Sequence, residues 1–332
     1  MPDSMSKRER VQASLQYELV DHPPATMWRH FFESESTADG LVEAMVGFQK
    51  YFDWDFLKIN ERARFPAEDW GIELKWSGES IHPPELVKPA IENSNQWADV
   101  APKNPLHGVM GEHLYALSKI VRELNREIPT LMTVFSPISV TGALLEDPSS
   151  LVTHLREDPQ KVHSALTNIT ETLCKFALEC LNAGADGIFF PTTIWGNQEL
   201  LPQEEYEEFG RPYDLKVLQA VEEANFNVLH VCASNNRLLS LLDYPVHAFN
   251  WDDRDRTNPS LYEARSQTRK GLIGGIARHG VLQNGTPDDV IKETIDAQET
   301  SGGTGWFLGP TCAIPPGTPE RNIRAALAAI RS

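Results

Sequence analysis

Phe226-Asn-Val-Leu-His-Val-Cys-Ala233 is a short apolar run that ends in two metal-type donors, His230 and Cys232. Its length and apolar character predict a buried β-strand. In a strand, residues i and i+2 point to the same side, so the imidazole and the thiol aim at one place. A second apolar run, Gly305-Trp-Phe-Leu-Gly-Pro310, leads into Cys312, eighty residues beyond Cys232. The two runs together predict a barrel that brings both strand ends to one rim. Three donors would then surround a single zinc ion that binds and activates a thiol.

Working outward from these runs, the second half of the chain alternates regularly. Strands are expected near 186–191, 227–231, 246–251, 271–276 and 305–308, separated by helical patterns at 203–223, 238–242, 259–268, 287–300 and 319–330. Asp158-Pro159 and Thr286-Pro287 are cap-plus-proline helix starts, and Gly184 follows the long helix expected over 159–182. The first half supplies a leading helix over 5–18 and strands near 25–30, 55–60 and 130–135. That makes eight strands alternating with helices, which implies parallel pairing with right-handed crossovers and closure into a (β/α)8 TIM barrel. The competing open doubly wound sheet needs a glycine-rich turn after strand one. The corresponding stretch, Trp28-Arg-His-Phe-Phe, has no glycine.

The whole chain, 1–332, reads as a single barrel domain. Residues 61–105 break the rhythm, being rich in Pro, Trp and Glu, with period-two alternation over Ile72-Glu-Leu-Lys-Trp76. They read as an excursion after strand two, with a small hairpin. It forms part of an active-site rim or is an insertion without a role in the site.

With 332 residues and 41% hydrophobic content, the chain can bury a large core. Its 30 basic and 47 acidic residues give a formal charge of −17, which argues against nucleic acid and anionic membrane as partners. No apolar run has the length of about 20 residues that a membrane span needs. The charged N-terminus is not followed by an apolar signal segment. Four cysteines in a chain of this size are not a disulfide framework, so the expected compartment is reducing cytoplasm. Cys174 and Cys180 lie on an apolar helical pattern and read as core residues.

Barrel active sites lie at the C-terminal ends of the strands. His230 and Cys232 end strand five, Asp252 and Asp253 follow strand six, Arg278 and His279 follow strand seven, and Cys312 follows strand eight. Thiolate and imidazole together favour zinc. Three protein ligands with an open fourth position are the catalytic arrangement, whereas structural sites are closed with four. Asp252 is a candidate fourth ligand or a loop cap, and Asp253 is an alternative for the same task. Trp28 and Arg29, at the end of strand one, are candidates for gripping an anionic substrate, and His279 for touching it.

The order of elements, His230-x-Cys232 followed by Cys312, the segment Gly274-Gly-Ile276 and the phrase Asn284-Gly-Thr-Pro-Asp-Asp-Val290 together resemble the uroporphyrinogen decarboxylase superfamily. The resemblance covers most of the chain and is best from about residue 110 onward. One branch of that superfamily decarboxylates a tetrapyrrole without a cofactor. The other moves a methyl group from a corrinoid to a zinc-bound thiol, as the methylcobamide:coenzyme M methyltransferases do. The decarboxylase signatures, Arg-Gln-Ala-Gly-Arg after strand one and Phe-Ser-Asp at the end of strand two, are replaced here by Met27-Trp-Arg-His-Phe-Phe-Glu33 and Leu57-Lys-Ile-Asn-Glu-Arg62.

The resemblance to the zinc branch implies His230, Cys232 and Cys312 as zinc ligands, with Asp252 in the approximate place of an acidic fourth. It implies a methyltransferase with a small thiol as acceptor. The donor would be a methylcorrinoid on a separate protein, because the chain lacks a corrinoid-binding Asp-x-His-x-x-Gly segment. The rival readings are a decarboxylase-like lyase acting on a tetrapyrrole and a non-catalytic barrel that binds a corrinoid protein.

Overall fold

A computed structural model describes residues 4–331. Its strands are β1 Leu57–Ile59, β2 Glu73–Lys75, β3 Glu85–Lys88, β4 Thr130–Thr133, β5 Gly187–Pro191, β6 Val228–Val231, β7 Ala248–Trp251, β8 Gly271–Ile276 and β9 Trp306–Pro310. Strands β1 and β4 to β9 form one sheet in chain order, and every pairing in it is parallel. Helices connect them, the longest being Pro159–Asn182. This is the (β/α)8 barrel expected from the alternation.

The eighth stave differs from the strand expected over 25–30. Only Ala25 makes a ladder bridge, to Leu308. Its neighbours still close the barrel. The Leu308 amide donates to the Pro24 carbonyl at 2.8 Å, Thr26 donates to the Leu308 carbonyl at 3.0 Å, and Asp55 donates to the Ala25 carbonyl at 2.9 Å. Side chains replace the rest of the ladder. The Ala25 amide goes to the Asp55 carboxylate at 2.8 Å, and the Thr26 hydroxyl to the Phe56 carbonyl at 2.8 Å. Pro23 and Pro24 have no N–H to offer a ladder, so the stave is stitched by these bonds instead. Arg10, buried on the leading helix Lys7–Leu15, anchors the same corner by pairing with Asp21 and Asp55.

Two further expectations need correction. The single helix expected over 203–223 is two, Gln203–Phe209 and Arg211–Ala220. The break falls at Gly210, and Pro212 opens the second helix in the position where its missing N–H costs nothing. Within residues 61–105, β2 and β3 pair as an antiparallel ribbon. Trp97, close by, is buried against the barrel's outer layer.

Side chains alternate along the strands, as the pleat requires. Ile188 and Phe190 pack outward against the helices, while Phe189 faces the barrel interior with Phe56, Leu131, Phe226, Val228, Ala248, Ile273 and Phe307. Val11 of the leading helix joins this inner cluster. Two residues further along four of the strands, toward the C-terminal end, the inward side chains become polar. Lys58 follows Phe56, Thr133 follows Leu131, His230 follows Val228 and Asn250 follows Ala248. The apolar plug therefore ends partway up the barrel, and the polar layer above it is the floor of a site.

Candidate active site

A cavity of about 230 Å³ opens on that polar layer, lined by His230, Cys232 and Cys312 on one side and by Lys58, Asn60 and Glu61 on another. Cys232 lies one residue past β6 and Cys312 two past β9. The chain turns sharply after each. Ala233 takes the left-handed conformation at φ 74°, and Asn258 donates to its carbonyl at 3.0 Å. The Cys232 carbonyl passes so close to Gly196 that a Cβ there would lie 2.3 Å from it, and glycine alone fits. On the other side, Asn250 donates to the Pro310 carbonyl at 3.1 Å and to the Ile273 carbonyl at 2.8 Å. Arg278 donates to the Ala313 carbonyl at 3.1 Å, just beyond Cys312.

The donors converge. The His230 Nε2 to Cys232 Sγ distance is 2.7 Å, the two sulfurs are 3.9 Å apart, and one donor atom from each of the three residues lies within 4.8 Å of the others. Thiolates about 2.3 Å from a tetrahedral zinc stand about 3.8 Å apart, so the sulfurs already have the spacing of a shared metal. The His230 imidazole is buried, stacks on Phe189 with ring centroids 5.4 Å apart, and leaves its Nδ1 without a hydrogen-bond partner. Two thiols and an imidazole are the donor set that suits zinc. The two thiols titrate as a pair. The Cys232 hydrogen bond pushes the Cys312 thiol well down against the effect of burial, with His230 and Arg278 assisting. Cys232 is pushed up, first by Cys312 and then by burial.

The aspartates do not join this cluster. Asp252 accepts from the Arg254 amide at 3.2 Å, and burial raises its pKa. Asp253 is buried, accepts from the Gly275 amide at 2.9 Å, and is pushed up to about 6 by burial, with Arg254 opposing. Among the described residues, the group able to hold a metal is His230, Cys232 and Cys312. Trp28 lines the cavity and meets Phe189 edge-on at 5.2 Å. Arg29 does not line it. Its guanidinium lies over Phe31, 4.6 Å from the ring centroid, and approaches Glu33 at 3.6 Å. His279 is exposed and bonds Gln283 at 3.2 Å, away from the cavity.

Lys58, Asn60 and Glu61 are functional candidates that the sequence reading passed over. Lys58 Nζ donates to Asn60 Oδ1 at 2.7 Å and to Glu61 at 3.3 Å, and it lies 5.1 Å from the Phe189 centroid. Burial opposes ionisation of Glu61, but Lys58, His30 and the Thr133 hydroxyl outweigh it and hold the carboxyl below its usual range. Asn60 Nδ2 is buried without a partner. The signal was present. Lys58 and Asn60 stand at i and i+2 in an otherwise apolar strand, the same pattern that singled out His230 and Cys232. A larger cleft of about 570 Å³ lies between the leading helix and Asp186 and Phe226, at the opposite end of the barrel from these donors.

The fold and the site define a (β/α)8 barrel with a thiol–imidazole cluster at the C-terminal end of its strands. The chain belongs to the uroporphyrinogen decarboxylase (URO-D) family, whose model matches residues 6–332. It is 22% identical over 334 residues to the methylcobamide:CoM methyltransferase MtbA of Methanosarcina acetivorans, covering 96% of this chain and 95% of that one. It is 23% identical over 340 residues to the uroporphyrinogen decarboxylase of Crocosphaera subtropica, covering 92% and 91%. Among solved structures, a methyltransferase from Methanosarcina mazei superposes with a TM-score of 0.79 at 19% identity, covering 98% of each chain. A B12-independent methionine synthase from Shewanella superposes at 0.60 with 13% identity, covering 93% and 95%. These relatives are enzymes. Among the described residues, no helix is long and apolar enough to cross a membrane.

Proposed function

We propose that the protein is a zinc-dependent methyltransferase that passes a methyl group, from a methylcorrinoid carried on a separate protein, to a small thiol. The observation that carries this reading is the convergence of His230, Cys232 and Cys312 beside an open cavity. Three such ligands leave one position for substrate. Zinc held there would lower the pKa of a thiol entering that position, so that it arrives as a thiolate. Similarity to the methylcobamide:CoM methyltransferase MtbA and to a methylated-thiol:coenzyme M methyltransferase of Methanosarcina mazei, 23% identical over 271 residues, supports a corrinoid donor and a thiol acceptor.

The chain's own residues would do the rest. Trp28, Phe135 and Phe189 line the cavity and exclude water from the acceptor sulfur. Lys58 and the ionised Glu61 present fixed opposite charges to the polar end of the acceptor. The acceptor sulfur donates its electron pair to the methyl carbon. The S–C bond forms as the methyl's bond to the donor breaks, and that pair leaves with the donor. Asp252 and Asp253 are not needed as ligands, and a fourth position left to substrate accounts for their place outside the cluster.

A tetrapyrrole lyase fits less well. Cofactor-free decarboxylation would leave the convergent His230, Cys232 and Cys312 donors without a task, and the Arg-Gln-Ala-Gly-Arg and Phe-Ser-Asp signatures of the decarboxylase branch are replaced here by Met27–Glu33 and Leu57–Arg62. Incubation with methylcobalamin and a panel of thiols tests the proposal through loss of the methylcobalamin absorbance. Thiol-dependent demethylation that stops with a zinc chelator and resumes with added zinc is expected. Demethylation indifferent to chelator would overturn the zinc assignment.

A further inference from the structure

A second cavity, of about 210 Å³, adjoins the first and shares Arg64, Phe135 and Thr193 with it. Its other walls are Phe65, Val140, Ala143, Ile194 and Trp195. The hydroxyls in this wall are already matched to one another, while the buried Trp195 Nε1 has no partner. Ser139 Oγ lies 2.8 Å from Thr193 Oγ1 and 2.6 Å from Ser136 Oγ, so the cavity presents hydrocarbon and aromatic surface. An apolar cavity of about 150 Å³ is enough to hold a benzene ring.

Arg64 stands where the two cavities meet. Its backbone is in the left-handed region at φ 64°, an unusual conformation for a side-chain-bearing residue. It directs a half-buried guanidinium toward both spaces. Among the described residues, no carboxylate or carbonyl accepts from that guanidinium, and burial alone acts on its ionisation. The neighbouring arginine shows the contrast. Arg62 is held by Glu68, by Glu112 and by the Ser36 carbonyl. A half-buried arginine without a partner is poised for an anion, which its planar fork binds in a bidentate manner.

The geometry points to a bipartite substrate. It is an organic anion whose carboxylate or sulfonate sits on Arg64, with a ring-sized apolar group in the second cavity and its reacting end toward His230, Cys232 and Cys312. This rests on the reading of the first cavity as the methyl-transfer site, and it rules out a bare two-carbon thiol as the best acceptor. Filling the cavity next to Arg64 with hydrocarbon removes the ring's apolar surface from water, and a fully buried ring contributes about tenfold or more in affinity.

Isothermal titration of the purified full-length protein with 3-phenylpropionate and with propionate tests this directly. Neither probe carries a thiol, so binding is read without turnover, and repeating the titration after chelator treatment separates binding at Arg64 from ligation of the carboxylate to zinc. The wild type is expected to bind 3-phenylpropionate at least about tenfold more tightly than propionate. Arg64→Gln should weaken both probes about tenfold or more. Ala143→Phe, which fills the second cavity, should remove the advantage of the ring and leave propionate unchanged. Ile194→Trp, at its more exposed wall, gives the same readout if the first variant folds poorly. Equal affinity for the two probes in the wild type, no binding of either at millimolar concentration, or an Arg64→Gln protein that binds as the wild type does, each overturns the proposal. Loss of methyl transfer with these binding results intact counts against the methyltransferase reading alone.

Discussion

Asn250 Nδ2 donates to the carbonyl of Pro310, two residues before Cys312, and so ties the middle of β7 to the end of β9 across the intervening strand. The same amide also holds the Ile273 carbonyl of β8. One buried side chain therefore sets where the third donor stands relative to the other two. Asn250→Leu keeps the volume and removes both donated bonds. It is expected to cost roughly 1–3 kcal/mol of stability and to weaken metal binding about tenfold or more. Denaturant titration and competition with a chromogenic chelator measure the two effects.

Lys58 and Glu61 form the charged wall of the cavity, and both are buried. Lys58→Met leaves the Glu61 carboxylate without its main partner and should destabilise the protein by roughly 3–5 kcal/mol near neutral pH. The sign with pH follows from the lowered pKa of Glu61. Its contribution is present above the unfolded value of about 4.3 and is lost as pH falls through the folded value. The penalty in Lys58→Met should therefore shrink on acidification. Lys58→Met/Glu61→Gln should recover much of the loss. Urea midpoints across a pH series read both results.

Asp214, in the outer helical layer, and His113, stacked on Phe65 beside the site, are shifted in opposite senses. Asp214 is pushed up to about 7 by burial, although Tyr206 and Tyr244 donate to it at 2.6 and 3.0 Å. Between about pH 4 and 7 the folded state holds a proton that the unfolded state has lost, so stability falls as pH rises, by at most about 1.4 kcal/mol per unit. His113 is pushed down to about 4 by burial, with Arg62 adding to it and the Val109 carbonyl opposing. Between about pH 4 and 6.5 the unfolded state binds the extra proton, so stability rises with pH. The two slopes offset each other. Asp214→Asn removes one, and its stability should climb from pH 4 to 6.5 more steeply than that of the wild type.

The barrel was legible because strand–helix alternation and parallel pairing leave a strong pattern in apolar runs. The donors were legible for the same reason. His230 and Cys232 stand at i and i+2 on an otherwise apolar strand, and Cys312 follows another. What the chain order did not reveal depends on contacts between distant segments. The closing stave at Pro24–Thr26 is held by the Asp55 carboxylate and by Leu308 rather than by a regular ladder. Gly210 and Pro212 divide a helix whose acidic residues read as continuous. Arg29 follows an apolar run, the position from which a rim contact is expected, but its side chain turns onto Phe31. A lysine inside a strand, as Lys58 is, reads as an edge or surface residue until its inward direction is known.

The central claim is that His230, Cys232 and Cys312 hold one zinc ion that activates a thiol. Elemental analysis of the purified protein, beside Cys232→Ser and Cys312→Ser, tests it most directly. The account predicts zinc near one per chain in the wild type, loss of zinc in both variants, and loss of thiol-dependent demethylation in parallel. Full zinc content and full turnover retained in either variant would contradict it.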